Sequence, residues 1–215
     1  MLSIGFESIS RDTLKSVHKH VNRPEQFKEL VDKLHSYGIA CFGLFMFGFD
    51  GDDKQVFQRT AEFNIDANFD AVAYSVLTPY PGTLTWYEMK KKDQIRTYDW
   101  EKFDQANVVY TPEQMTPDEL RLGHISAYET FYSAKSIAKR FPLRGKRSRT
   151  QWAIYNLFMK KGSATDRKDS VPDATPMPDV APVPPIMPIK REWKDAVLEA
   201  IGDRKAPKNE RERAP

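Results

Sequence analysis

The feature that most constrains the fold of this chain is an apolar run that ends in a glycine-rich acidic turn. Residues 39–48 read Ile-Ala-Cys-Phe-Gly-Leu-Phe-Met-Phe-Gly, and Phe-Asp-Gly-Asp-Asp follows at 49–53. A run with no polar side predicts a strand that is buried on both faces of a parallel sheet. Because ligands of such sheets bind beyond the carboxyl ends of the strands, the turn at 48–53 is a candidate binding segment.

The composition excludes several classes of protein. The chain has 215 residues, of which 40% are hydrophobic, and this is enough to form a core. Its single cysteine, Cys41, excludes a disulfide framework and indicates a reducing compartment. No run of 18 apolar residues occurs, and the first residues lack the basic region of a signal peptide. We therefore expect a soluble, cytoplasmic protein.

The net charge of +3 hides a segregated distribution of charges. Residues 139–161 carry eight basic residues and no acidic one, whereas residues 1–138 are acidic overall. This basic stretch leads into an aromatic helix. The combination indicates either contact with an anionic membrane surface or a solvated linker before a docking helix. Because the basic character is confined to this stretch, no specific nucleic-acid surface is expected.

Hydrophobic periodicity predicts alternating strands and helices over the first 95 residues. Strands are expected at about 2–6, 39–48 and 70–78, and helices at about 11–20, 24–37, from 50–53 onward, and at 83–92. Parallel strands linked by helices are typical of α/β barrels and open sheets.

The pattern changes after residue 95. A capping box at Thr116–Glu119 predicts a long helix to about Arg140, and an aromatic helix is expected at about 148–161. Nine of the fifteen prolines lie beyond residue 161, which is typical of disorder. The chain therefore divides into an α/β region at 1–95, a helical extension at 96–161 and a mostly disordered tail at 162–215.

Residues suited to ligand binding follow each predicted strand. Glu7 ends the first strand, where a carboxylate can accept hydrogen bonds from ribose hydroxyls or a ligand amine; alternatively, it is a charge beside the next helix. The turn at 48–53 is either a ligand-facing βα turn or an ordinary one. Two prolines and a glycine stiffen the loop after the third strand. This loop either positions Thr78, Tyr80 and Thr83 for a ligand or is only a rigid connection.

The histidines and the cysteine do not predict a metal site or a nucleophile. His18 and His20 are two apart on an expected helix and so face different ways. His35 and His124 occupy polar helix positions, so all four are expected at the surface. Cys41 is expected to be a small core residue.

Together these stretches resemble the second half of a radical S-adenosylmethionine (SAM) barrel, of the class with an amino-terminal cobalamin-binding domain. IGFES resembles the first strand of that half. The segment holding Lys19 and Asn22, with the helix ending at residues 37–39, resembles the helix pair that follows. GLFMFGFDGDD resembles the fifth barrel strand with its turn, and LTPYPGT the sixth strand with its loop. Asp99-Trp100 and the helix ending AYETFYSAKSIAKR resemble the carboxyl-terminal extension of one subgroup, so the match covers about residues 1–140.

The resemblance implies a partial TIM-type barrel of about three parallel strands, with SAM, a [4Fe–4S] cluster and cobalamin as cofactors. It places Glu7 and Ser8 near the ribose or methionine part of SAM and the strand from Gly43 to Gly48 past the adenine. The loop holding Thr78, Tyr80 and Thr83 would border SAM and the substrate. Asp50 and Asp52 stand where many members of the family have proline and glutamate, which leaves their roles open.

One departure from the family limits the function that can be expected. The cluster of the family needs three cysteine thiolates spaced C-x₃-C-x₂-C, and this chain has one cysteine. We therefore expect a fragment that is inactive alone, with the amino-terminal half on a separate chain and a small-molecule substrate in the complete enzyme. The alternative is a non-catalytic binding module that docks to a partner or an anionic membrane through 139–161. A complete SAM-independent α/β enzyme is disfavoured because three strands cannot close a barrel.

Overall fold

The computed structural model describes residues 1–142 and 148–165, with side chains up to residue 160. Three parallel strands form one sheet in the order β1-β2-β3. Their bounds are Leu2–Glu7 for β1, Cys41–Phe47 for β2 and Ala71–Val76 for β3. The expected α/β class, with about three parallel strands, is confirmed. The predicted disordered tail starts at residue 162, but a helix continues to Thr165, and the rest of that tail lies outside the described residues.

Seven α-helices are present in the described residues. They are α1 Arg11–Ser16, α2 Pro24–Ser36, α3 Val56–Asp66, α4 Leu84–Lys91, α5 Pro117–Phe131, α6 Ala134–Arg140 and α7 Arg149–Thr165. Thr116 and Glu119 form the predicted capping box of α5. A short 3-10 turn lies at Trp100–Lys102, and a single antiparallel bridge joins Ile95 to Tyr110.

The first helix is shorter than the sequence predicts. α1 ends at Ser16 rather than near residue 20. His18 adopts a left-handed φ of 59°, and the Lys19 N–H donates back to the carbonyl of Leu14 at 2.8 Å. Both histidines of this segment therefore lie in the turn after the helix rather than on it.

Two further helix boundaries differ from the expectation. α3 begins at Val56 rather than at 50–53, because Asp52 is held in the preceding turn by the backbone N–H of Gly48. The long helix expected to reach residue 140 breaks at Ser133, whose side chain accepts from the Ser136 N–H and starts α6.

β2 has one buried face and one partly open face. Cys41, Phe45 and Phe47 are at most 1% exposed, whereas Leu44 on the opposite face is 36% exposed. Helices cover the buried face: the ring of Phe47, for example, lies 4.9 Å from that of Phe57 on α3. The expectation that this strand is buried on both faces is wrong for the described part of the chain, where the aliphatic side chain of Leu44 remains accessible.

Tyr128 on α5 and Tyr132, the residue that caps its carboxyl end, close the outer edge of β3. The hydroxyl of Tyr132 accepts from the Val72 N–H (3.1 Å) and donates to the Val72 carbonyl (2.7 Å). The hydroxyl of Tyr128 makes the same pair of bonds with the N–H and carbonyl of Tyr74, at 2.9 and 3.0 Å. The carbonyl of Gln105 accepts from the Val76 N–H. The outward backbone groups of this strand are thus satisfied without a further strand.

The outer edge of β1 differs from that of β3. The Leu2 N–H donates to the carbonyl of Ala40 just before β2. Because successive residues of a strand direct their backbone groups to opposite sides, those of Ser3 and Gly5 point to the outer edge. Asn22 donates to the Gly5 carbonyl at 2.9 Å. In the described part of the chain, no hydrogen bond from a helix or loop reaches the backbone of Ser3. This edge can therefore accept another strand.

A buried arginine joins elements at the amino-terminal end of the sheet. Arg140 on α6 is 1% exposed and donates to the carbonyls of Phe69, Asp70 and Phe131 at 2.9–3.2 Å. It also donates to the side-chain oxygen of Asn156 on α7. Burial lowers the pKa of Arg140 to about 10, so the guanidinium stays charged at neutral pH.

Replacing Arg140 is expected to destabilise the protein strongly. Arg140→Met keeps an apolar stem but leaves buried carbonyls without donors, so we expect a loss of about 3 kcal/mol or more in the free energy of unfolding. Urea denaturation measures it. Lys139→Met is the matched control, because Lys139 pairs with Asp66 on the surface and should cost less than about 1 kcal/mol. Equal small losses in both variants would contradict the role assigned to Arg140.

Candidate functional site

The carboxyl ends of the three strands lie at one edge of the sheet, and most of the predicted site residues are there. Since the strands are parallel and neighbouring, the segments after Glu7, Phe47 and Val76 leave the sheet on the same side. This edge holds Glu7, Ser8, Gly48, Asp50, Thr78, Tyr80 and Thr83. Gly43 lies in the middle of β2 instead.

An irregular backbone at the end of β1 changes the direction of the Glu7 side chain. The register with β2 shifts between Gly5 and Glu7, and Glu7 adopts a left-handed φ of 66°. Such an irregularity turns a side chain out of the normal alternation of a strand. The carboxylate lies 3.1 Å from the ammonium of Lys19 and its side chain is 22% exposed. Ser8 is buried, and its hydroxyl accepts from the Ser10 N–H.

The turn after β2 is fixed by a glycine and a tyrosine. Gly48 has a φ of 97°, and a Cβ at this position would lie 2.1 Å from the Tyr110 hydroxyl. That hydroxyl donates to the Gly48 carbonyl. Both the conformation and the space therefore favour glycine here. Sequence reasoning missed Tyr110, since it lies 62 residues from its partner and no spacing pattern connects the two.

Asp50 and Asp52 of this turn have different surroundings. Asp52 is 2% exposed and accepts from the N–H groups of Gly48 (2.9 Å) and Phe49 (3.1 Å). Burial raises the pKa of Asp52 to about 6, although the two backbone donors oppose that shift. Asp50 is exposed, with its carboxylate 3.5 Å from the ammonium of Lys92. Asp52 therefore shapes the turn, and of these two carboxylates Asp50 is the one that a ligand can reach.

The loop after β3 uses two of its three polar side chains internally. The buried hydroxyl of Thr78 donates to the Val76 carbonyl. The hydroxyl of Thr83 donates to the Tyr80 carbonyl and caps α4 by accepting from its backbone. Tyr80 is 39% exposed, and its hydroxyl accepts from the Gln105 amide at 3.2 Å. Tyr80 and Thr83 are thus the exposed members of this set, and Tyr80 is the one whose hydroxyl contacts another loop.

Gly43 is positioned against the core. A Cβ at Gly43 would lie 2.7–2.8 Å from the rings of Phe69 and Phe45. The glycine therefore permits close ring packing behind the sheet, and its predicted contact with adenine remains a prediction.

Two histidines lie inside the fold rather than at the surface: His124 is buried, and the side chain of His35 is 12% exposed. His35 lies 2.7 Å from the buried carboxylate of Asp70, and His124 lies 2.8 Å from the carbonyl of Tyr74. The expectation of surface positions for them is wrong, because each meets a hydrogen-bond partner more than 30 residues away in sequence. Within the described ranges, no group of three or more metal-ligating side chains is placed to hold an ion.

Cys41 is a core residue, as expected. It is fully buried, and burial raises the pKa of its thiol to about 12. A thiol in this state is neither a nucleophile nor an accessible metal ligand.

A cationic cavity of about 390 Å³ lies beside the end of β1. Lys19, the ion-pair partner of Glu7, lines this cavity. The other charged or titratable members are Arg11, Lys15, His20 and Arg23. Several of these side chains already have acidic neighbours on the surface, and such exposed pairs exchange partners at little cost. The cavity can therefore receive an anionic group next to Glu7.

Comparison with known proteins gives several relatives. The chain is 35% identical over 161 residues to a bacteriochlorophyllide d C-12(1)-methyltransferase of Chlorobaculum tepidum, covering 75% of this chain and 34% of that protein. It is 26% identical over 137 residues to the bacteriochlorophyllide d C-8(2)-methyltransferase of the same organism, covering 63% and 30%. It is 27% identical over 163 residues to an anaerobic magnesium-protoporphyrin IX monomethyl ester cyclase of Cereibacter sphaeroides, covering 75% and 26%.

The chain spans about a third or less of the length of these curated relatives. No protein-family model matches it. Its homologues are thus enzymes named as methyltransferases and a cyclase.

The stability of the protein should depend on the ionisation of Asp52. The pKa of Asp52 is about 6 when folded, against an ordinary 3.8, so the folded state binds more protons than the unfolded state between these values. The contribution of protonated Asp52 to the free energy of unfolding is complete below pH 4, and it is lost as the pH rises through 6. Asp52→Asn keeps an acceptor oxygen and removes the charge. The difference in free energy of unfolding between the Asp52→Asn variant and the original protein should therefore shift by about 3 kcal/mol in favour of the variant between pH 4 and pH 8.

Urea denaturation across this pH range measures the difference in stability between the two proteins. Asp50→Asn is the control, since Asp50 is exposed and its replacement should change the free energy of unfolding by less than about 1 kcal/mol. An Asp52→Asn difference that is equally flat would show that this carboxyl titrates normally.

Proposed function

We propose that this chain forms the carboxyl-terminal part of a radical SAM enzyme that modifies a tetrapyrrole pigment. The observation that carries the proposal is the 35% identity over 161 residues to a bacteriochlorophyllide d methyltransferase. The sequence resemblance to the second half of a radical SAM barrel, found from motifs, points to the same class of chemistry. The parallel sheet with polar groups at its carboxyl edge has the architecture that such an enzyme requires.

The residues at this edge suit a ligand such as SAM. SAM carries an ammonium group and two ribose hydroxyls, all of which donate hydrogen bonds to a carboxylate. Glu7 presents a carboxylate that is partly exposed and oriented by Lys19. On this proposal Glu7 binds SAM, with Ser8 fixing the backbone beside it, while Asp50 and Tyr80 line the ligand from the two neighbouring loops.

The residues of this chain do not fit a [4Fe–4S] cluster. Such a cluster needs several thiolates, and the single cysteine is buried in the core with a pKa of about 12. On the proposal, the cluster ligands and any cobalamin site belong to protein outside this chain. The chain then contributes binding residues, and it does not reduce SAM alone.

The edge of β1 is where we place the partner. Ser3 directs its backbone outward there, and a cavity of about 320 Å³ with both apolar and polar walls lies alongside, between β1 and α2. Ile4, Phe6, Phe27 and Leu30 are among its walls. A parallel strand followed by a helix would pair with the edge and fill this cavity. The partner is the amino-terminal half of the barrel, on a separate chain or on a longer form of this one.

The substrate class follows from the relatives. Bacteriochlorophyllide and magnesium-protoporphyrin are broad planar tetrapyrroles, and bacteriochlorophyllides carry a free carboxylate. The cationic cavity at Lys19 and Arg23 could hold such a carboxylate beside the SAM site. The partly open face of β2, at Leu44, provides apolar surface next to the same edge.

Co-expression tests the proposed partner. The chain is expressed with the polypeptide encoded directly upstream, which must carry a C-x₃-C-x₂-C triplet, and the pair is reconstituted anaerobically with iron and sulfide. We expect co-purification and reductive cleavage of SAM to 5′-deoxyadenosine. Ser3→Pro removes one outward N–H and should abolish co-purification, whereas Ser3→Thr should not. Absence of an encoded triplet upstream, or equal assembly by both variants, would contradict the proposal.

Replacement of Glu7 tests the SAM site within that assembly. Glu7→Gln removes the charge that binds the ammonium or hydroxyl groups, so the Kd for SAM should rise about tenfold or more. Equilibrium dialysis with labelled SAM measures this. Glu62→Gln is the control, because Glu62 is exposed on α3 and accepts a bond from Gln58. Unchanged binding by the Glu7 variant would remove Glu7 from the site while leaving the assembly result intact.

A further inference from the structure

We propose that the exposed indole of Trp100 binds the flat face of the tetrapyrrole substrate. The identity of this ligand rests on the function proposed above, whereas the surface itself follows from the described residues. Trp100 lies in the 3-10 turn between α4 and α5 and is not among the predicted site residues.

Three aromatic rings support Trp100 and form an aromatic cluster with it. The centroid of the Trp100 ring lies 5.1 Å from that of Phe103, 5.8 Å from that of Trp86 and 6.2 Å from that of Tyr98. Trp86 and Phe103 are 5% and 8% exposed, whereas Trp100 is 49% exposed. Because the supporting rings are packed, the indole is held in place while part of its surface stays open. A tryptophan held in this way is typical of a binding surface.

Hydrogen bonds place the aromatic cluster beside the carboxyl edge of the sheet. The Trp86 N–H donates to the hydroxyl of Thr83, at the end of the loop that follows β3, at 3.2 Å. Beyond the 3-10 turn, the Gln105 carbonyl accepts from the last residue of β3 at 2.7 Å, and the Gln105 amide donates to the Tyr80 hydroxyl at 3.2 Å. The segment that carries Trp100 is therefore connected to the candidate site on both sides. A broad ligand that reaches Tyr80 can extend to Trp100.

Acidic side chains near Trp100 narrow the choice of ligand. Residues 99–104 hold three acids and one lysine, and the acids Asp99, Glu101 and Asp104 are exposed. Their charges oppose the phosphates of a nucleic acid and the headgroups of an anionic membrane. In the described helices, none is long and apolar enough to cross a bilayer. An uncharged aromatic ring system, in contrast, buries apolar area against the indole without meeting this repulsion.

A tetrapyrrole fits the indole and also reaches the rest of the candidate site. Its conjugated macrocycle is broad and flat, so one face can stack on Trp100 while an edge extends towards Tyr80. Neighbouring strands lie about 4.8 Å apart, so β1 lies roughly 10 Å from β3. The acids near Trp100 repel the carboxylate of the pigment. That carboxylate then points across the edge towards the cationic cavity at Lys19.

Titration of the full chain with bacteriochlorophyllide d tests the contact. Binding is followed by the shift of the main absorption band and by the circular dichroism that the bound pigment acquires. Trp100→Ala removes the stacking surface and should raise the Kd about tenfold or more, whereas Trp100→Phe keeps a ring and should raise it less. Since the aromatic cluster lies within this chain, the titration needs neither SAM nor the upstream polypeptide.

Phe158→Ala is the matched control, because Phe158 is a 71% exposed aromatic residue on α7, outside the aromatic cluster. It should bind the pigment as the original protein does. Urea denaturation checks that the Trp100 variants remain folded, and Trp100→Phe retains a ring to pack on its neighbours. Absence of pigment binding, or equal binding by Trp100→Ala, would overturn the proposal. Loss of binding in Phe158→Ala would place the pigment on α7, and retention of single-stranded RNA through Trp100 would assign the indole to bases; either result would also overturn it.

The co-expression experiment decides the radical SAM role separately. SAM cleavage by the assembled pair without pigment binding at Trp100 would leave that role standing and remove only this contact. Pigment binding at Trp100 without assembly or SAM cleavage would retain the contact and remove the radical SAM role.

Discussion

Every backbone N–H and C=O of a strand needs a partner, and the two outer strands of this sheet meet that requirement differently. On β3 the partners are the hydroxyls of Tyr128 and Tyr132, each of which both accepts and donates. The geometry matches, because four residues of a helix rise about 6 Å and two residues of a strand rise about 6.6 Å. α5 thus takes the place of a strand and ends the sheet at β3. On β1 the backbone of Ser3 has no such partner within residues 1–142 and 148–165, so this edge is the one at which the described sheet can be extended.

The amino-terminal end of the sheet is tied together more tightly than the carboxyl end. Arg140 and Asp70 connect α2, α6 and α7 to the starts of the strands through buried hydrogen bonds. At the carboxyl end, Glu7, Asp50 and Tyr80 keep polar groups accessible. This division is the usual one in α/β folds, in which one end supplies stability and the other binds ligands. It agrees with placing a SAM site at the carboxyl edge.

Local patterns in the sequence predicted the secondary structure well. The apolar run predicted β2, Pro24 predicted the start of α2, and the capping box at Thr116 predicted the start of α5. Each of these signals lies within a few residues of the element that it starts or forms. The helix ends were less predictable, because α1 ends in a left-handed turn at His18, a conformation that the residue type does not reveal.

Partners that are distant in sequence could not be predicted. Tyr110 contacts Gly48 across 62 residues, and His35 contacts Asp70 across 35. Neither pair leaves a periodic signal, and each brings a residue that looked exposed or irregular into contact with a partner distant in sequence. The placement of Glu7 at the edge was predicted, but its left-handed backbone and its ion pair with Lys19 follow from an irregular register with β2.

Side chains occupy the backbone groups at the β3 edge of the sheet, whereas the β1 edge is open to pairing with another strand. Amide hydrogen exchange resolved by residue tests this most directly. We expect slow exchange at Val72, Tyr74 and Val76 on β3, and fast exchange at Ser3 on β1, within the same folded molecule. Fast exchange along β3, or protection of Ser3 as strong as that of Tyr74, would contradict it.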